Sequence, residues 1–384
     1  MRVLHLSAAG LFGGVETFLL VLARNGGRGS RMESHFALSG EGRVSAELRR
    51  VGAPLHPLGP VRARHPLSVW RARSALARVL GSERFDVAVC HSPWAQAMLG
   101  PAVRAAGVPL VFYLHGHVTG KHWLERLARR TPPDLVIANS RFTEATLANL
   151  YPGVPHSMVH YPVEPRNSAR GPDGRTAIRG ELSTSLDDVV IVQTSRMEEW
   201  KGHRLHLEAL ARLRAVPGWT AWLVGGAQRP SEVAYRDDLV ARAERLGIAD
   251  RVRFTGERHD VPDVLAAADI HCQPNQGPEP FGIAFVEALY AGLPVVTTAL
   301  GGALEIVDPG SGVLTPPDDA GALARTLEEL IADPVRRRAL GAAGPVRAAD
   351  LCAPERQLGK LADALGRVVA RPNTIAHAEP RGAS

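Results

Sequence analysis

The sequence predicts an α/β fold of two doubly wound parallel sheets that face each other across a cleft. Three observations carry this reading. The 384-residue length corresponds to two domains at roughly 150 residues each. Short apolar runs alternate with helix-period segments in two series of similar size, each opening on a strand. Between the series, around residues 162–188, the alternation fails in the Pro-, Gly- and Arg-rich run YPVEPRNSARGPDGR. Such a stretch reads as an interdomain linker or a loose surface loop.

In the first series, residues 3–6, 35–38, 87–90, 110–114 and 135–138 are short apolar runs expected as strands. Residues 67–80 carry the helical period, with Val69, Ala72, Leu76 and Leu80 on one face and Arg71, Arg73 and Arg78 off it. In the second series, strands are expected over 189–194, 220–224, 251–254, 270–273, 294–297 and 312–314, with helices over 203–216, 233–246 and 283–291. The domains then run over residues 1–165 and 186–350, and the tail 371–384 is expected to be disordered. In doubly wound sheets ligands sit beyond the carboxyl ends of the strands, so chemistry belongs in the cleft.

Composition narrows the class. With 45% hydrophobic and 22% charged residues, the chain is neither disordered, collagen-like nor a disulfide-stapled mini-protein. Cys90, Cys272 and Cys352 are odd in number and far apart, which suits a reducing cytoplasm and disfavours a cysteine metal site. The longest unbroken apolar run, residues 18–23, is far short of the ~20 residues of a membrane span. The opening MRVLHLSAAG is too polar for a signal peptide and reads as a buried strand.

Charge is unevenly spread. Residues 1–165 hold 19 Lys+Arg against 10 Asp+Glu, whereas the remainder holds 26 against 29. Residues 43–84 alone contain nine arginines and two acids. Either the first half meets an anionic partner, such as an acidic acceptor or membrane surface, or it carries an Arg-rich solvated surface. Nothing in the pattern points to nucleic acid.

Three stretches bear on chemistry. Gly13 and Gly14 follow the first strand and precede a helix, where backbone amides can approach an anion; a tight turn without ligand explains them equally. The spacing is not G-x-G-x-x-G, so a nicotinamide cofactor is not supported. In TSRMEEWKG, residues 194–202, Arg196 and Lys201 follow a strand and precede a helix. Two fixed cations there suit a diphosphate whose charge grows as it departs, although an isolated pair is usually solvated surface. In QPNQGPEPFGIAFVEALYAGLPVV, residues 273–296, Glu287 lies on an otherwise apolar helix face and Glu279 sits in the preceding loop. A carboxylate on such a face needs partners, and two ribose hydroxyls would serve. The amides at Phe281, Gly282 and Ile283, where this helix begins, can take sugar hydroxyls or phosphate.

The run E-P-F-G-I-A-F-V-E-A-L with A-G-L-P-V-V resembles the signature of retaining, nucleotide-sugar-dependent glycosyltransferases of family four, with two Rossmann-like domains facing across a cleft (the GT-B fold). GGVET (13–17), YLHGH (113–117), SRMEEWKG (195–202), VRFTGERHDVPDVLAAADIHCQP (252–274) and GGALEIV (301–307) resemble that family's other motifs in the same order. The resemblance implies that Arg196 and Lys201 hold the donor diphosphate, Glu287 the ribose, and Glu279 with Phe281, Gly282 and Ile283 the sugar. It further implies that His115 faces the transferred sugar, that Gly13 and Gly14 approach phosphates or acceptor, and that Leu300, Gly301 and Gly302 lie near the phosphates. Arg258 would lie near the base, and a final helix over 355–370 would cross back onto the first domain. It implies no cofactor beyond the nucleotide-sugar co-substrate, UDP-sugar more often than GDP-sugar, and a hydroxylated acceptor that is a small molecule, glycan or lipid.

Three stretches depart from the family pattern, and the last two bear on the acceptor rather than on donor chemistry. Ser195 replaces a usual glycine, Gly116 a frequent aspartate, and Tyr161-Pro162-Val163-Glu164 the usual Asn-Gly-Val-Asp. His91, His117, Trp94 and Trp123 are acceptor candidates; His5, His35 and His160 are expected to be packed. No Asp-x-Asp occurs in the chain, which disfavours metal-dependent donor binding through that motif. A nucleotide-sugar epimerase and a non-catalytic sugar- or nucleotide-binding protein are the rival readings. A pyridoxal phosphorylase would need a lysine in context, and Lys121, Lys201 and Lys360 offer none. The expected location is the cytoplasm, with peripheral contact at the inner membrane face as an extension.

Overall fold

The computed structural model describes residues 1–10, 13–27 and 29–370; the expected disordered tail, 371–384, lies outside the described residues. The first sheet contains β1 (Arg2–Ala8), β2 (Glu33–Ser39), β3 (Leu55–Pro57), β4 (Val87–Cys90), β5 (Leu110–Leu114), β6 (Leu135–Ala138) and β7 (His156–Met158). All pair in parallel, in the order β3-β2-β1-β4-β5-β6-β7. The second contains β8 (Val189–Thr194), β9 (Trp219–Val224), β10 (Val252–Gly256), β11 (Ile270–Gln273), β12 (Val295–Thr298) and β13 (Gly312–Thr315), also parallel, in the order β10-β9-β8-β11-β12-β13. Strand order reverses beside β1 and again beside β8, and these switch points open the crevices that hold ligands in doubly wound sheets.

The central strands are buried on both faces, as parallel sheets require: Val87–Cys90 and Leu110–Leu114 have no exposed residue. That burial is why their apolar runs predict them to the residue. Edge strands β3 (LHP) and β7 (HSM) carry no such run, and they escape the sequence pattern because a short edge strand needs little apolar surface.

One expectation is corrected. The stretch 162–188 holds a helix, Gly174–Glu181, whose Ile178 and Arg179 are fully buried. The Arg179 guanidinium meets Asp269 at 2.6 Å and donates to the carbonyls of Ser185, Asp188 and Ala267 at 2.9, 2.8 and 3.1 Å. Two glycines and two arginines among eight residues hide the helical period, and the buried arginine is tolerated because every donor direction is met.

The helix Pro354–Val369 buries Leu361, Leu365 and Val368 in the apolar cluster that contains Val3, Phe18 and Val87. Asp363 pairs with Arg31 at 2.5 Å, and Arg367 donates to Ser157 at 3.1 Å. Further contacts tie the halves together beside the cleft. Glu305 caps the amides of Arg141 and Phe142 at 2.6 and 3.3 Å and meets His160 at 3.2 Å; Ser140 Oγ donates to the Pro280 carbonyl at 2.5 Å.

Candidate active site

A cavity of about 680 Å³ lies between the domains at the carboxyl ends of both sheets. From the second domain, the turn after β8 delivers Arg196 and Lys201. Gly202 ends that turn with φ +73°, and a Cβ there would lie 1.7 Å from the Pro274 carbonyl oxygen. Only glycine fits where these two loops cross, and the crossing brings Lys201 to Glu279. Lys201 Nζ lies 2.5 Å from Glu279 Oε2 and 4.0 Å above the Trp200 ring. The same carboxylate oxygen accepts from Gln273 and Asn275 at 3.4 and 3.5 Å. Glu279 is thus a held, neutralised carboxylate.

Arg196 pairs with Glu198 at 2.6 Å and lies 3.6 Å from Glu232, leaving its Nη1 buried without a hydrogen bond among the described residues. Ser195, in place of the usual glycine, turns its hydroxyl to His203 at 3.1 Å, which explains its tolerance. Phe281, Gly282, Ile283 and Glu287 line the cavity at the start of the helix Ile283–Tyr290. Burial raises the Glu287 carboxyl above its ordinary range, against a smaller opposing pull from Arg166. No described side chain hydrogen-bonds that carboxylate, so it meets the cavity with its acceptors open.

From the first domain come Gly13, Gly14, His115 and Tyr161. The Gly13 amide is already taken by Glu16 Oε2 at 2.9 Å, so that N–H does not await an anion. A Cβ on Gly14 would meet Ile283 Cδ1 at 3.3 Å; its smallness lets the domains approach. Arg258 lines the cavity, but its guanidinium is tied to Glu181 and Asp260 at 2.6 and 2.7 Å. Those two carboxylates raise its pKa further.

Several expected residues stand elsewhere. Leu300, Gly301 and Gly302 do not line the cavity; Gly302 N donates to the Glu279 carbonyl at 2.7 Å, and the pair packs beneath the Glu279–Phe281 loop. His91 is 1% exposed and lies behind His115. His117 is exposed with its ring near Phe142, Trp94 packs on the first-domain core, and Trp123 is a surface residue. None of these four lines the cavity, because a position after a strand does not decide which wall a side chain faces. His5 and His35 are packed, as expected.

Sequence reasoning placed Tyr161 only within a segment bordering the cleft and missed Arg24, Arg43 and Arg50 on the first-domain wall of the cavity. Arg43 reaches Glu257 across the cleft at 2.6 Å. For Arg43 and Arg50 the available signal was the arginine excess of residues 43–84.

Residues 174–347 match the model of glycosyl transferases group 1, and residues 12–165 that of glycosyltransferase family 4. The chain is 31% identical over 303 residues to a GDP-mannose-dependent alpha-(1-6)-phosphatidylinositol monomannoside mannosyltransferase of Mycolicibacterium smegmatis, covering 73% of this chain and 77% of the relative. A GDP-mannose-dependent monoacylated alpha-(1-6)-phosphatidylinositol monomannoside mannosyltransferase of Corynebacterium glutamicum is 30% identical over 263 residues, covering 64% and 67%. Anabaena HepE in complex with UDP-glucose superposes with a TM-score of 0.85 at 26% identity, over 96% of this chain and all of that one. With the cavity, its paired charges and both domains accounted for, the chain belongs to the family-four glycosyltransferases of GT-B fold and is a hexosyltransferase that uses a nucleotide sugar.

Proposed function

We propose that the enzyme moves a hexose from a UDP-sugar to a hydroxyl acceptor, with retention of configuration and without a metal. The observation that carries this is the convergence of the Lys201–Glu279 pair, Arg196 and the open Glu287 carboxylate on one interdomain cavity. As the nucleoside diphosphate leaves, the sugar gains oxocarbenium character and the phosphate gains charge. Arg196, Lys201 and the amides opening the helix Ile283–Tyr290 supply the opposing charge. Glu287 binds the ribose. Glu279, held by one ammonium and two amides, positions the sugar. The acceptor attacks on the face the leaving group vacates, and its proton passes to the departing phosphate. Closure of the cleft excludes water.

UDP is favoured by the full-length likeness to HepE with UDP-glucose; GDP-mannose is the second reading, favoured by the actinobacterial relatives. A thermal-shift and hydrolysis screen over UDP-, GDP-, ADP- and dTDP-sugars separates them. UDP-sugar is expected to raise Tm and release UDP slowly without acceptor; release of GDP alone assigns the second reading. No release from any donor refutes both. Glu287→Ala is expected to weaken donor turnover (kcat/KM) by about 10–100-fold, the range for unsatisfied hydroxyl partners.

The acceptor side points to an anionic membrane surface. Leu67 and Trp70 on the helix Pro66–Ser82 are 70% and 64% exposed. Arg62, Arg64, Arg71 and Arg78 beside them are exposed, with no acidic partner among the described residues. Arg73 turns inward to the Met98 and Ala97 carbonyls at 2.7 and 3.1 Å. Apolar and cationic groups on one face suit an anionic interface. Sedimentation with anionic liposomes at low salt is expected to carry the protein down, and neutral liposomes are not; equal partition retires the idea. No described helix is long and apolar enough to cross a membrane.

A further inference from the structure

Outside the donor cluster, the first sheet delivers a row of aromatic groups to the cavity. His5 lies on β1, His91 follows β4 and His115 follows β5. These three strands are neighbours in the sheet, so the rings stack sideways across it. His5 Nδ1 lies 3.0 Å from His91 Nε2, and His91 Nδ1 lies 2.9 Å from His115 Nε2. His115 Nδ1 then meets Tyr161 Oη at 2.5 Å. Both ring nitrogens of His115 are therefore occupied within the protein.

Burial depresses all three imidazoles, His5 and His115 to about 3, so the rings are neutral at ordinary pH. Neutral rings satisfy the row in only two directions. Running inward from Tyr161, each ring passes its proton along until His5 Nε2 carries an N–H. That nitrogen is buried without a partner among the described residues, in a ring stacked on Phe36. Running outward, His5 donates to His91, His91 to His115, and His115 to Tyr161 Oη. Only a lone pair is then left in the core, and buried unpaired N–H groups are the rarer defect. The outward direction makes Tyr161 Oη an acceptor toward His115. The phenolic proton is then not used toward His115 and is free to be donated elsewhere.

Tyr161 lines the cavity, with its ring between Phe18, His115 and Phe281 at centroid distances of 5.3, 5.4 and 5.2 Å. Phe281 belongs to the loop expected to hold the donor sugar. We propose that Tyr161 donates a hydrogen bond to a hydroxyl of the transferred sugar, in the place expected of His115, and that His5, His91 and His115 are positioning residues that set the direction of this bond. The inference rests on the donor-site reading above and adds a sugar-contacting residue to it. It also gives a role to the tyrosine that stands where the family usually has asparagine.

Tyr161→Phe removes the hydroxyl and keeps the ring contacts. Its kcat/KM for donor hydrolysis is expected to fall about 30-fold, with Kd for the free nucleoside diphosphate within about twofold of wild type. Across a series of monodeoxy donor sugars, one is expected to cost the wild type a similar factor and to cost Tyr161→Phe nothing further. A Tyr161→Phe enzyme with wild-type kcat/KM, or one that loses equally with every monodeoxy donor, overturns the inference alone. A wild-type protein that turns over no nucleotide sugar overturns the donor reading and this inference together.

Discussion

Lys201→Ala is expected to lower kcat for donor turnover by about 10³-fold, the scale of losing one preorganised charge at a developing anion. The ammonium sits 15% exposed against a Glu279 side chain that is 12% exposed. Its removal takes away a counter-charge for the leaving group. It also leaves Glu279 with only the Gln273 and Asn275 amides, at 3.4 and 3.5 Å. An unneutralised carboxylate beside a departing diphosphate opposes the charge that must grow there. Some stability is lost for the same reason, so the variant is expected to melt a few degrees lower while staying folded at 25 °C. Steady-state hydrolysis and circular dichroism check both parts. A folded Lys201→Ala enzyme within tenfold of wild type would falsify the role assigned to this cation.

Acidification from pH 7 to pH 5 is expected to remove most of the stability of the fold. His5, His91, His203, His206 and His271 are each at most 1% exposed, and burial depresses every one of them. Four of these values fall to about 3. In the unfolded chain a histidine takes a proton near pH 6.5, whereas in the folded state it stays neutral until far lower. Between those limits the unfolded state binds more protons, so stability rises with pH and falls as pH drops below about 6.5. The ceiling is about 1.4 kcal/mol per histidine per pH unit, or roughly 2 kcal/mol each at pH 5. Five such groups approach the ~5–15 kcal/mol that holds a typical domain together. Glu16 and Glu287, whose carboxyls burial raises, pull the other way, but they are two against five. Melting followed by circular dichroism should give a flat Tm above pH 7 and a steep decline below pH 6.5. A Tm unchanged at pH 5 would mean that these imidazoles take up protons without unfolding.

The second-domain wall of the cavity was readable from the sequence because its residues are local to one another. Glu279 and Glu287 are eight residues apart around a helix start, and Arg196 and Lys201 flank one short turn. Residues so close have little freedom in how they are presented once the strand and helix beside them are known. The first-domain wall is different. Arg43 meets Glu257 over 214 residues of sequence, and His91 and His115 share one strand-end setting but not one fate. His91 is sealed behind its neighbour, whereas His115 reaches the cavity. None of Leu300, Gly301 and Gly302 lines the cavity, and Gly301 and Gly302 serve as the floor of the Glu279–Phe281 loop.

The sequence by itself determined that this chain forms two parallel α/β sheets, which strands lie at their centres, and which charged residues the second brings to the cleft. Those properties follow from apolar periodicity and from charges spaced within one turn or helix. Tertiary structure alone decided that residues 174–181 form a helix held by a buried Arg179–Asp269 pair. It also decided that three histidines align across β1, β4 and β5 to end at Tyr161. Such features depend on which strands become neighbours and how closely two sheets approach, and no local pattern of residues encodes either distance.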